Sequence, residues 1–85
     1  MKTKIKIKSI FGKLLFEYEQ ENNTVKDTLL KAIEGNVILH SANLEVTDLK
    51  YTDLRNADLY CANLQGANLF SAILYNADLR SANLS

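Results

Sequence analysis

Residues 37–85 read VILHS ANLEV TDLKY TDLRN ADLYC ANLQG ANLFS AILYN ADLRS ANLS. A leucine stands at every fifth position of this stretch, from Leu39 to Leu84. Two positions before each leucine stands a small or β-branched residue. The position between them is Asn or Asp, except for Ile38 and Ile73. The stretch is therefore a run of five-residue repeats, and this run decides the fold.

A period of five suits neither a straight helix nor a single strand. On a helix, positions five apart differ by about 140° in direction, so the leucines would surround the whole cylinder. On one long strand, an odd period would send successive leucines to opposite faces. The chain must therefore turn once in every repeat, with the leucine and the small residue pointing inward.

Segments such as 57–61 (ADLYC) and 62–66 (ANLQG) resemble the pentapeptide-repeat family, and the resemblance covers residues 37–85. It implies a mainly β protein, a right-handed quadrilateral β-helix with four repeats per coil and about two and a half coils here. Residues twenty apart would then stack about 4.8 Å from each other, as neighbouring strands do. The leucines would form four columns: Leu39/Leu59/Leu79, Leu44/Leu64/Leu84, Leu49/Leu69 and Leu54/Leu74.

Residues 1–36 predict an N-terminal ββα cap, beginning with a β-hairpin. Polar and apolar residues alternate on both sides of Gly12, which is typical of two strands joined by a turn. A two-residue loop would pair Ile7 with Phe16, whereas a four-residue loop would pair Ile7 with Tyr18. Because an odd loop would set polar residues against apolar ones, the matching of faces rules it out but does not choose between the two even loops.

The cap continues with a helix after residues 21–23. Thr24 is the expected N-cap, with Asp27 as the matching acid three positions later. Gly35 or Asn36 would supply the left-handed stop. An apolar stripe then faces the first coil, because an uncovered end of a repeat stack exposes apolar side chains and strand edges. The stripe consists of Val25, Leu29, Ala32 and Ile33.

The composition excludes several classes of protein. Ten basic and ten acidic residues give a net charge of zero, which argues against direct nucleic-acid binding, since such proteins carry a basic stripe. No apolar run is long enough for a membrane span. The single cysteine excludes an internal disulfide and fits a cytoplasmic location. One His and one Cys cannot form a closed zinc site, and we expect no cofactor.

No arrangement of reactive residues predicts catalysis. Cys61 and His40 fall at outward or corner positions of the columns, where no concave pocket is implied. Asp58 and Asp78 would form a stacked acidic column, although Asn or Asp is the usual residue at this repeat position. We therefore expect a protein that is not an enzyme.

Exposed aromatic and aliphatic residues predict a surface for a partner. Exposed aromatics are enriched in the centres of protein interfaces, although single apolar residues scattered on a surface are also common. The candidate surface consists of Tyr51, Tyr60, Phe70, Ile73 and Tyr75.

We interpret the chain as a protein-interaction module for a protein of unknown identity, such as a small bacterial or phage inhibitor. The family resemblance implies an alternative, a DNA mimic that inhibits gyrase or a nuclease; a third possibility is a structural or assembly element. Residues 37–85 carry five acids and three bases, a net charge of −2. A DNA duplex carries about six charges per 10 Å, so the mimic ranks second.

The last repeats predict a homodimer through the C-terminal coil. Four leucines would line an open end with unpaired backbone groups around its rim, and such edges favour pairing. Two-fold dimers are the commonest oligomers. A truncated chain, or docking of this end onto another protein, would also explain the open end. The four leucines are Leu69, Leu74, Leu79 and Leu84.

Overall fold

The computed structural model describes all 85 residues, Met1–Ser85. Strand β1 spans Lys2–Lys8, strand β2 spans Leu14–Glu21 and helix α1 spans Val25–Glu34. The two strands form an antiparallel two-stranded sheet. The predicted hairpin and helix are thus both present, in the predicted order. Residues 37–85 follow as a regular series of turns and short bridges.

The hairpin register is that of the two-residue loop, but the loop itself is longer. Ile7 faces Phe16, whereas Lys8 faces Leu14, so Leu15 is an extra residue in β2. The Ser9 N–H donates to the Lys13 carbonyl at 2.8 Å, which leaves a three-residue loop, 10–12, ending in the left-handed Gly12 (φ 87°). Our exclusion of an odd loop was wrong, because a β-bulge absorbs the extra residue and keeps the faces matched.

Helix α1 is capped at both ends by local hydrogen bonds. The Asp27 N–H donates to the Thr24 hydroxyl at 3.0 Å, which confirms Thr24 as the N-cap. At the other end Asn36 takes the left-handed conformation (φ 56°). The Val37 N–H then reaches the Ala32 carbonyl at 3.0 Å, completing a Schellman motif. Of the two predicted stop residues, Asn36 is the one in the left-handed region.

The repeat region pairs with itself at a spacing of twenty residues. Parallel bridges join Asn43 to Asn63, Asp58 to Asp78 and three further pairs at the same spacing. The backbone hydrogen bonds between these segments join residues 19 or 21 apart, as parallel pairing at a spacing of twenty requires, so four repeats separate one stacked residue from the next. This pairing is typical of a β-helix-type fold. We call residues 37–56 the first layer, 57–76 the second layer and 77–85 the third layer.

A residue with positive φ marks the turn that follows each leucine by two positions. From residue 41 to residue 81 this corner position always has φ between 56° and 73°. The left-handed region turns the backbone sharply, and it is unfavourable for L-residues with bulky side chains. The corner residues are Ser41, Val46, Tyr51, Asn56, Cys61, Gly66, Ser71, Asn76 and Ser81.

One hydrophobic core runs from the N-terminal hairpin and helix into the repeats. The six repeat leucines from Leu39 to Leu64 are at most 2% exposed, and they share a cluster with Ile7 of β1 and Leu29 of α1. Backbone pairing joins the same regions, because the Asn43 N–H donates to the Lys8 carbonyl at 2.8 Å. The hairpin and helix therefore cover the apolar end of the first layer.

Candidate interaction surface

The Asn or Asp of each repeat fixes the backbone of its own corner. Its side-chain oxygen accepts the N–H of the residue two positions later, as Asn63 does for Gln65 at 3.0 Å. Seven of the eight Asn and Asp residues at this position make the bond. Sequence reasoning noted the Asn/Asp preference and missed this role, although such residues are known for turns of this kind.

The position after each leucine carries the most variable side chains, and Phe70 at this position meets Tyr51, which is a corner residue. Phe70 is 63% exposed, and its ring lies 5.7 Å from that of the corner residue Tyr51, edge to face. Tyr51 is itself 67% exposed, and its N–H donates to the Phe70 carbonyl at 2.9 Å. The two rings thus form one exposed aromatic pair that spans two layers.

Ile73 and Tyr75 lie on the repeat that follows Phe70. Tyr75 is 72% exposed and Ile73 is 49% exposed. Ile73 occupies an Asn/Asp position and pairs with Asp53 of the first layer, so it has no side-chain oxygen to hold its corner. We call Tyr51, Phe70, Ile73 and Tyr75 the aromatic face.

Tyr60 belongs to a different group of side chains. Its ring lies 5.3 Å from that of His40, and the Arg80 guanidinium lies over it, also at 5.3 Å. Tyr60 is 37% exposed, much less than Tyr51 or Phe70. His40, Tyr60 and Arg80 are twenty residues apart, so they form one column, as their spacing predicts.

The stacked acidic pair exists, but each carboxylate contacts another side chain. Asp58 and Asp78 form a parallel bridge. The Arg80 side chain donates to Asp78 at 2.9 and 3.0 Å, and this hydrogen bonding lowers the pKa of Asp78 below its usual 3.8. His40 Nε2 lies 3.0 Å from an Asp58 oxygen. The column is therefore not a strip of uncompensated negative charge.

Asp58 is the one Asn/Asp residue that does not hold its own corner. One carboxylate oxygen contacts His40, and the other, Oδ1, is buried without a hydrogen-bond partner. In the other seven repeats that oxygen accepts the N–H two positions later. We attribute the difference to His40, because its ring draws the carboxylate away from the Tyr60 N–H.

The four leucines of the predicted dimer end are less buried than the leucines before them. Leu84 is 54% exposed and Leu74 is 36% exposed, while Leu69 and Leu79 are partly buried. Every earlier repeat leucine is at most 2% exposed. An apolar surface therefore lies at this end of the described chain.

Metal-binding clusters, reactive side chains and membrane-spanning helices would be further indications of function. No three or more His, Cys, Asp or Glu residues are close enough together to hold a metal ion. Cys61 is a free cysteine of intermediate exposure, and the His40 ring contacts Asp58 and Tyr60. No helix has the length and apolar character needed to cross a membrane.

Comparison with known proteins identifies the repeats. The family model for pentapeptide repeats, in eight copies, matches residues 38–74 and 47–85, which together make up more than half of the chain. No significant match was found among curated proteins or among solved structures. The matched residues are those whose backbones pair at a spacing of twenty.

Proposed function

The chain belongs to the pentapeptide-repeat family, and from this we propose that it is a protein-interaction module that binds a protein partner through its aromatic face. The observation that carries the proposal is the exposed pair of Tyr51 and Phe70, whose rings lie 5.7 Å apart. Aromatic side chains provide large contact area at interfaces, and a rigid backbone limits the entropy lost on binding.

The proposed scaffold is a right-handed quadrilateral β-helix of residues 37–85, capped by residues 1–36. The parallel bridges at a spacing of twenty residues support it, as do the regular left-handed corners. In such a scaffold backbone pairing would hold the corners, and an Asn or Asp side chain would hold seven of them in addition. The aromatic face would then be presented without a large conformational change.

The role that fits this surface best is a small non-enzymatic inhibitor in the cytoplasm of a bacterium or introduced by a phage. A DNA mimic of gyrase or a nuclease is the second candidate. It is disfavoured because Asp53 is bound by Arg55, Asp78 is bound by Arg80 and Asp58 contacts His40. These contacts reduce the free negative charge that a mimic of DNA phosphates needs. A structural or assembly role is the third candidate.

Affinity capture from a bacterial lysate tests the role of the aromatic face. We expect a protein retained by the wild type and lost with the double variant Phe70→Ser, Tyr75→Ser. The control is Tyr60→Ser, which changes a less exposed aromatic residue on another column. The captured protein is then purified and its binding to the wild type, the double variant and the control is measured, once thermal unfolding shows that all three are equally stable. Equal binding to all three would argue against the aromatic face as the binding surface.

We propose in addition a two-fold homodimer through the last four repeat leucines. The exposed Leu74 and Leu84 support it. Side chains would have to provide most of the contact. The four repeats of the first layer each donate two N–H groups to the next layer, while only the last three accept one in return, so two such edges facing each other would have too many donors.

Sedimentation tests the homodimer at increasing concentration. We expect the wild type to dimerise and the variant Leu79→Glu, Leu84→Glu to remain a folded monomer, because charges would be buried at the contact. A wild type that stays monomeric and well folded at the highest concentration contradicts the homodimer. It would leave the aromatic-face proposal intact, since that surface lies elsewhere.

A further inference from the structure

The edge of the first layer is only partly covered by the N-terminal hairpin. At residues 41–43 the cover is direct: the Ser41 carbonyl accepts the Ile10 N–H and the Asn43 N–H donates to Lys8, both at 2.8 Å. One repeat earlier, the Ile38 N–H, the Ile38 carbonyl and the His40 carbonyl form no hydrogen bond. The edge is therefore partly paired at residues 41–43 and open at residues 38–40.

The backbone groups of Asp78 and Arg80 are equivalent to those of Ile38 and His40, and in the third layer they are hydrogen-bonded to a neighbouring strand. The Asp78 N–H donates to Ala57 at 2.9 Å, and the Asp78 carbonyl accepts from Leu59 at 3.0 Å. The Arg80 carbonyl accepts from Cys61, also at 3.0 Å. In this third-layer segment one donor and two acceptors thus meet a neighbouring strand. Residues 38–40 present the same three groups with no strand beside them.

A groove with apolar walls lies beside the open edge. It has a volume of about 490 Å³ and runs between the hairpin turn and residues 38–41. Phe11 is 82% exposed, Ile38 62% and Leu14 46%. Ile38 replaces the Asn or Asp that most repeats have, so an apolar side chain stands where a turn-forming one is usual. Apolar surface and unpaired backbone groups therefore occur together.

The charged residues that line the groove favour an acidic segment over a basic one. Lys13 and His40 are among its lining residues, and no Asp or Glu lines it. Lys13 forms no ion pair, whereas His40 is already in contact with Asp58. A segment that carries a carboxylate would thus gain a cationic partner, and a basic segment would meet Lys13 as a like charge.

We propose that this groove binds an extended, acidic and apolar segment of a partner protein. The segment pairs as an additional strand with the backbone of Ile38 and His40. Its apolar side chains lie against Phe11, Leu14 and Ile38, and a carboxylate contacts Lys13. Strand addition of this kind derives affinity from backbone hydrogen bonds and specificity from the side-chain contacts. The groove is separate from the aromatic face, so the chain has two surfaces for protein partners.

The test is an NMR titration of the full-length chain with an acetylated hexapeptide of alternating Glu and Val. We expect shifts at Phe11, Leu14 and residues 38–40. The Ile38 amide should exchange more slowly with solvent, because it acquires an acceptor. Ile38→Asn and Lys13→Glu should each weaken binding about tenfold, which is about 1.4 kcal/mol. The same peptide with Lys in place of Glu should bind more weakly.

Ile73→Asn is the matched control, because Ile73 is the other isoleucine at an Asn/Asp position and lies outside the groove. It should bind the acidic peptide like the wild type. The proposal is overturned if the Ile38 amide is no better protected at saturating peptide, or if the Lys peptide binds equally well. It is also overturned if these resonances shift with protein concentration alone, since the occupant would then be a second copy of the chain.

Discussion

Leu59 and Leu79 occupy the same repeat position in the same column, yet only Leu59 is fully buried. Leu59 has Leu39 on one side and Leu79 on the other, whereas Leu79 has a described neighbour on one side only. Leu64 and Leu84 differ in the same way, at 2% and 54% exposed. The comparison between inner and last leucines teaches that the repeat fixes the direction of a side chain, and that the adjacent layers bury it.

The first layer shows that an adjacent layer need not be another repeat. Leu39 has no leucine before it in its column, yet it is 0% exposed. Its core cluster includes Leu29 and Ala32 of α1 and Ile7 of β1. The hairpin and helix therefore do for the first layer what the second layer does from the other side.

The largest effect should come from placing a charge inside a column. We expect Leu59→Lys to abolish cooperative folding, because burying an unpaired ammonium group among leucines costs more free energy than the total stability of a small domain. Leu84→Lys, at the same repeat position in the last layer, should cost no more than about 1 kcal/mol, since the side chain can reach water. Thermal unfolding followed by circular dichroism compares the two variants. Cooperative unfolding of Leu59→Lys near the wild-type temperature would break the comparison.

A smaller effect separates two corner residues of one column, Val46 and Gly66. Val46 is β-branched and has φ 59°, which is unfavourable for such a residue. Asn tolerates this region better, as Asn56 and Asn76 do at the same position. We expect Val46→Asn to raise the free energy of unfolding by about 1 kcal/mol, measured by urea denaturation.

Gly66→Val is the reverse substitution and should destabilise the chain. Gly66 has φ 73°, and a β-carbon there would lie 3.4 Å from a methyl group of Val46. The cost combines backbone strain with close contact and should be about 1–2 kcal/mol. If Val46→Asn and Gly66→Val change stability in the same direction, the corner conformation is not what limits these positions.

The leucine spacing was enough to predict a turn in every repeat, because a five-residue period suits neither a straight helix nor a single strand. The spacing of twenty between stacked residues was predicted from the family resemblance. Thr24 could be predicted as an N-cap because capping is local. The bulge at Leu15 could not, since it depends on how the hairpin end meets Ala42. The contact of His40 with Asp58 joins residues eighteen apart, and the groove at Ile38 arises where the hairpin stops covering the first layer. The bulge and the groove depend on the junction between the hairpin and the repeats, and the His40 contact depends on the side chain at a variable position. The repeat pattern describes neither.

The smallest effect concerns two exposed ion pairs, one in each half of the repeats. Arg55 donates side-chain hydrogen bonds to Asp53, and Arg80 does so to Asp78; in both cases this bonding is the main reason that the carboxyl pKa lies below 3.8. A lowered pKa means that the folded chain releases its protons more readily than the unfolded chain. The stabilisation is therefore present above about pH 3.8 and is lost as the pH falls through the folded pKa.

We expect Arg80→Gln to raise the pKa of Asp78 and leave that of Asp53 unchanged, whereas Arg55→Gln should raise the pKa of Asp53 and leave that of Asp78 unchanged. Carboxyl ¹³C chemical shifts measured against pH check both variants, and the change in stability should be small because exposed pairs are screened by solvent. If Asp78 already titrates at 3.8 in the wild type, Arg80 does not form the ion pair with Asp78 in solution. The acidic column would then carry more free negative charge than the structure indicates.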